Sequence, residues 1–286
     1  MDNIVLGGLK KSKYDPRHFV LGAIFGVVDV SELPEEYLVG EPLEIKDQRK
    51  QPRNDMCAAC ASVSVSELQE GKILNVEYQF AKIKQIIGDW QGWGADLIRA
   101  AKSLIKFGSI EQEKFIKIRE SIGNNELKEA IANWNLWPKE IDELAKEHKK
   151  QVFFVVRPYG GLDLFDAMRS AMWQFRNEKR GLVAGTKWSN KWTSKIFIDE
   201  LSPASLGHAI AVLGWVNVKD KLYLVIQNSG GEEIGKKGIQ YFSREVVNKR
   251  FTYDVVMFKD GDPEEIKKGY WSWWQRIWDF FIKLFK

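Results

Sequence analysis

A chain of 286 residues with 44% hydrophobic content is long enough to bury one large core, or two lobes that share a groove. Its net charge of +4 comes from 43 basic and 39 acidic residues, a balance that gives no footprint for nucleic-acid binding. Two cysteines, Cys57 and Cys60, exclude a disulfide framework and make a poor zinc site, so no metal or cofactor is expected.

The N-terminus lacks a basic region followed by a long apolar run, and the apolar stretch over 19–30 is too short and too glycine-rich to span a bilayer. A cytoplasmic protein is the expectation. Residues 1–40 read as an extended arm with glycine, proline and acidic turn signals. Helical patterning starts after Asp55 and closes at Glu70-Gly71, with Val63, Val65 and Leu68 among small or polar residues. A second helix is predicted over 76–87, where Tyr78, Ala81, Ile83 and Ile86 or Ile87 form an apolar stripe. A turn over 88–94 leads into a third helix over 95–106. Residues 114–148 continue helical and heavily charged, interrupted by Trp134-Asn135-Leu136-Trp137-Pro138.

The pattern then becomes strand-like. Strands are predicted over 151–156, 181–186, 208–215, 221–227, 238–242 and 253–258, with one helix over 164–176. Helices in the first half and strands in the second predict an α+β protein of two lobes. The last segment, 263–286, places Ser272, Gln275, Arg276, Asp279, Lys283 and Lys286 on one stripe of an aromatic, apolar helix. At about 25 Å its length falls short of a bilayer span, and its charges argue against one. Three readings stay open for it: an anchor at a membrane surface, self-association by packing onto its own domain or a second copy, or contact with another partner.

Three positions carry chemistry. Cys57 sits where the polar loop Arg53-Asn54-Asp55-Met56 meets a helix start, and a helix N-terminus favours thiolate. His208 lies between Gly207 and Ala209 at the head of an apolar run, whereas His18 falls in the arm and His148 in a charged helix tail. Asn228 ends a strand and precedes Ser229-Gly230-Gly231. A thiol, an imidazole and an amide in that order make a nucleophile, its base and the base's orienter.

Over roughly residues 33–258 the chain resembles the papain family of cysteine peptidases. Leu33-Pro34-Glu35 is similar to the start of that family's mature domain, and Ile45-Lys46-Asp47-Gln48 to the strand carrying its oxyanion-hole glutamine. Cys57, Ala59 and Glu67 match the nucleophile helix, and Gly92-Trp93-Gly94 falls where the family binds substrate backbone. Gly207-His208-Ala209 with Leu213-Gly214-Trp215 resembles the histidine strand, and 223–229 the asparagine motif. Gly231, Gly235 and Gly238 follow at the family's spacing. The Cys-to-His and Cys-to-Asn separations are somewhat longer than the usual ~130–150 residues.

The resemblance implies a papain-like two-lobed fold, a helical lobe over about 50–148 and a β-barrel-like lobe over about 149–262. Together these would form a catalytic domain over 41–262, with the cleft between the lobes. It implies a cysteine-type peptidase acting on peptide or protein substrates through Cys57, His208 and Asn228. Gly92, Trp93, Gly94 and Gly207 would bind substrate, and a glutamine would complete the oxyanion hole. Gln48 has the right preceding strand and Gln51 the right six-residue spacing to Cys57, so both remain candidates. Cys57 is preferred to Cys60 because it keeps that spacing and because choosing Cys60 would strand Cys57 without a disulfide partner. Ala58 and Gly230 stand where the family has aromatic residues, so a wetter, weaker Asn228–His208 bond is expected. A catalytically weak binding or assembly module is the alternative this leaves open.

Overall fold

The computed structural model describes residues 6–13, 15, 18–51, 53–121, 137–204 and 206–260. The aromatic tail over 263–286 and the start of the predicted interruption at 134–136 lie outside them.

Eight helices among these residues begin with α1 (Leu21–Phe25), α2 (Cys57–Glu70), α3 (Val76–Ile87) and α4 (Leu97–Lys106). They continue with α5 (Gln112–Ser121), α6 (Lys139–Ala145), α7 (Leu164–Gln174) and α8 (Arg244–Arg250). Their ends follow local chemistry. Asn75 accepts the Tyr78 N–H at 2.6 Å to start α3, and Gly88, at φ 70°, ends it. Asp96 caps α4 through the Arg99 N–H, and Asp163 caps α7 through the Asp166 N–H. α2 differs: Met56 precedes it and no side chain caps it, so its first-turn N–H groups are left for other partners.

Every residue of α2 from Cys57 to Leu68 is buried. Its alanines, serines and cysteines let neighbouring elements approach on all sides, which explains why no single apolar stripe marks it. One wall is strand β5, and α3 and α4 pack beside it. Within this core Lys46 Nζ meets Glu67 Oε1 at 2.6 Å, and the same oxygen accepts the Leu74 N–H at 2.8 Å. That pair ties the segment before Gln48 to the middle of α2.

The strands are β1 (Tyr37–Leu38), β2 (Val152–Val155), β3 (Leu182–Trp188), β4 (Phe197–Ile198), β5 (Leu206–Val218), β6 (Lys221–Gln227), β7 (Ile239–Ser243) and β8 (Val255–Lys259). They form one sheet in the order β2-β8-β3-β5-β6-β7-β4, with β1 added to β5. All pairings are antiparallel except β4 with β7. The sheet is open, which corrects the expectation of a barrel-like lobe. Closure needs the two end strands to pair, but two-residue β4 bonds only to β7, and the edge of β2 is met by the arm at Val20. Of the helical stretch predicted over 114–148, the described residues show α5 up to Ser121 and α6 from Lys139, directly after Pro138.

The long strand β5 organises the molecule. Its first half pairs with β3 and its second half with β6, across a bulge between Val212 and Gly214. His208 therefore sits near the start of β5, and Asn228 directly follows β6.

Candidate active site

Cys57 is the first residue of α2 and has no exposed surface. Its thiol feels the backbone N–H groups of Ala209, Ala58 and Cys57 itself. The Ala209 contact joins the start of α2 to the residue after His208. Burial pushes the Cys57 thiol up to about 12, and the Asp55 carboxylate adds to that shift while the three N–H groups oppose it. Cys60 is equally buried but feels Lys46, Asp47 and Glu67, and burial raises its thiol as well.

The orientation of His208 can be worked out from donors and acceptors. The carbonyl oxygens of Trp192 and Lys195 only accept, so Gln240 turns its nitrogen to them, at 2.7 and 2.8 Å. Gln240 Oε1 then accepts from Asn228 Nδ2 at 3.0 Å. This leaves Asn228 Oδ1 for the Gly230 N–H and for His208 Nε2, both at 3.1 Å. Because Oδ1 only accepts, Nε2 of the neutral ring carries the proton and Nδ1 is bare. Nδ1 is buried and has no hydrogen-bond partner. Burial pushes the imidazole down to about 4, against the opposing pull of the Asn228 bond.

The expected wetness around this bond is not found, since His208 and Asn228 are both 0% exposed. Shielding comes from residues that the motif comparison did not suggest. The Trp188 ring meets His208 edge-on with centroids 5.0 Å apart, and Trp192 packs on Trp188 at 5.6 Å. At Gly230 a β-carbon would stand 2.6 Å from Ile234 Cγ1 and 3.1 Å from Leu6 Cδ1, so these two side chains fill the space.

The two candidate glutamines part company. Gln48, with no exposed surface, takes the Ser229 hydroxyl on Oε1 at 3.3 Å, and its backbone N–H bonds the Ser229 carbonyl at 2.8 Å. Its Nε2 is buried and unpartnered. Gln51 is half-buried and lines a surface hollow with Leu74, Val76 and Gln112.

The Gly92-Trp93-Gly94 loop is tied to the start of α2. Asp55 grips Arg53 at 2.9 and 2.7 Å and accepts the Gly94 N–H at 2.5 Å. Arg53 reaches the Trp90 and Gly92 carbonyls, and Lys84 the Gly92 and Gly94 carbonyls. Trp93 itself is 52% exposed. Arg53, Asp55, Lys84 and Gln240 have no sequence signature at the site; only the fold brings them there.

The groove between these parts is filled by the chain's own arm. Leu9 N–H bonds the Gly207 carbonyl at 3.0 Å, on the histidine side. On the helical side Lys10 N–H bonds the Ala95 carbonyl at 2.7 Å, and Ala95 N–H bonds the Gly8 carbonyl at 2.8 Å. Leu6 is 0% exposed and Leu9 7%. Residues 6–9 thus touch Asp55, Gly207 and Gly230, each within two positions of Cys57, His208 or Asn228. The sequence reads this segment only as an extended arm, because a four-residue stretch without periodicity does not announce where it docks.

No protein-family sequence model matches the chain, and no curated protein matches it in sequence. Solved structures match its shape. Xylellain, a cysteine protease from Xylella fastidiosa, superposes with a TM-score of 0.68 at 16% identity, over 90% of this chain and 97% of that one. Bromelain from Ananas comosus, in complex with the E64 inhibitor, gives 0.55 at 15% identity, over 80% and 100%. Procathepsin B S9 from Trypanosoma congolense gives 0.57 at 14%, over 88% and 85%. The fold is papain-like, in a sequence far diverged from these neighbours.

Proposed function

We propose that this chain is a cysteine-type peptidase that hydrolyses peptide bonds with Cys57 as nucleophile, His208 as base and Asn228 as the base's orienter. The reading rests on one observation above all. The run from Gln240 through Asn228 to His208 leaves Nδ1 bare, one residue before Ala209, whose backbone N–H favours the Cys57 thiolate.

In the proposed reaction His208 Nδ1 takes the Cys57 proton as the sulfur attacks the scissile carbonyl carbon. The oxyanion that forms is received by the Cys57 backbone N–H and by Gln48 Nε2, whose free hydrogens favour it over Gln51. The imidazolium returns its proton to the leaving amine as the C–N bond breaks, and a thioester remains. Water, deprotonated by Nδ1, then attacks the thioester, and the acid leaves as the thiol is restored. Asn228 Oδ1 holds the ring while it carries the second proton, and Gly207 and the Gly92–Gly94 loop line the substrate path.

In the closed state this machinery rests. A thiol raised to about 12 and an imidazole lowered to about 4 are both neutral groups, with the arm over their neighbours. Arm displacement would readmit water, remove the desolvation that causes both shifts and favour the ion pair. The same neutrality favours a second reading, a binding module that never opens. Hydrolysis of a peptide library by the full chain separates the two. Turnover abolished by Cys57→Ala and kept by Cys60→Ala supports the peptidase, and peptide binding without turnover would sink it.

A further inference from the structure

The segment in the cleft is Leu6-Gly7-Gly8-Leu9, and its four residues meet seats of very different size. A β-carbon on Gly8 would stand 2.5 Å from the Asp55 carbonyl oxygen and 2.8 Å from its Cα. From the opposite wall, a β-carbon on Gly94 would stand 1.7 Å from the Gly8 oxygen. Between residues 55 and 94 the cleft therefore has room for bare backbone and nothing more. Asp55 cannot give way cheaply, because its carboxylate is bound to Arg53 and to the Gly94 N–H. A β-carbon on Gly7 would first meet the Leu206 side chain, at 3.1 Å.

Apolar seats lie on either side of this throat. Leu6 lies against Gly230, with Ile234 beside it, and Leu9 lies over Gly185 and Gly207, beside Tyr253. A β-carbon on Gly185 would come within 2.6 Å of Leu9 Cδ2, so the absence of a side chain there makes the room.

We propose that the cleft selects peptides carrying a glycine pair flanked by apolar residues, in the pattern Leu-Gly-Gly-Leu, and that residues 6–9 occupy it as an internal competitor. This rests on the peptidase reading above. The pattern reads the same from either end, so the match of seats to side chains holds whichever way a substrate runs. One glycine position is strict, because backbone bounds it. The other is lenient, because the end of a flexible side chain does.

The test uses the full chain with Gly8→Ala, which loosens the arm, and internally quenched peptides containing Leu-Gly-Gly-Leu, Leu-Ala-Gly-Leu, Leu-Gly-Ala-Leu and Leu-Ala-Ala-Leu. The Gly-Gly peptide is expected to lead. One single replacement should lower kcat/KM at least tenfold, the other should lower it less, and the double replacement should be no better than the worse single one. The unaltered chain, assayed beside it, should give the same order at lower rates. Equal or faster cleavage of Leu-Ala-Ala-Leu overturns the inference. So does labelling of Cys57 by a thiol-reactive probe with no cleavage of the Gly-Gly peptide, an outcome that leaves the peptidase reading standing. Absence of both labelling and cleavage brings down both together.

Discussion

Replacing Gly8 by alanine should activate the protein, and the size of the gain follows from what holds the arm down. Three backbone hydrogen bonds contribute about 1 kcal/mol each. Burying Leu6 and Leu9 contributes about 2 kcal/mol each. Ordering the five residues from Leu6 to Lys10 costs about 5 kcal/mol. The remainder, about 2 kcal/mol, keeps the cleft closed in roughly 29 molecules of every 30. A methyl on Gly8 must sit 2.5 Å from a backbone oxygen at a φ of +112°, at a cost of about 2–3 kcal/mol. That cancels the surplus, so at least half of the molecules open. The rate of Cys57 alkylation by iodoacetamide, followed by mass spectrometry, should rise about 15- to 30-fold and no further, because full opening sets the ceiling. An unchanged or slower rate, in a variant that melts at the wild-type temperature, would refute the reasoning.

Three other outcomes are expected. Gln48→Ala should lower kcat about 10²–10³-fold, the loss of one oxyanion donor, while Gln51→Ala stays within about twofold in the same steady-state assay. Gln240→Leu strips the Trp192 and Lys195 carbonyls and the Asn228 amide of their partners. It should cost about 1–3 kcal/mol in a urea melt and also lower kcat at least tenfold, because Asn228 is then free to flip. Glu70 is raised by burial but held down to about 2 by His148 and Lys150, below its ordinary 4.5. Its contribution is therefore complete above pH 4.5 and is lost as pH falls toward 2, about 3 kcal/mol in all. Glu70→Gln should flatten that acid limb in melts taken at a series of pH values.

What the sequence makes legible is local. α3 is read to the residue because Asn75 and Gly88 bracket a clear apolar stripe, and β6 because a strand-like apolar run ends at Asn228. α8, with two buried valines in seven residues, and two-residue β4 carry too little pattern to register. The site divides in the same way. His208 and Asn228 sit in recognisable neighbourhoods. Choosing between Gln48 and Gln51 by counting residues to Cys57 overlooks the 3₁₀ turn over 48–50, which carries Gln48 inward and leaves Gln51 at its end. Trp188 and Gln240 reach the site from strands β3 and β7. Their contacts with His208 and Asn228 are long-range, and no spacing rule announces them. The arm is the extreme case, since its docking depends on glycines 86 and 199 residues further along, at positions 94 and 207.

The most direct test is to expose the Gly8→Ala chain to a thiol-reactive peptidyl probe and map the adduct by mass spectrometry. The account predicts a single adduct on Cys57, abolished by Cys57→Ala, strongly slowed by His208→Ala and retained in Cys60→Ala. An adduct on Cys60, or a folded chain that takes no label at all, would contradict it.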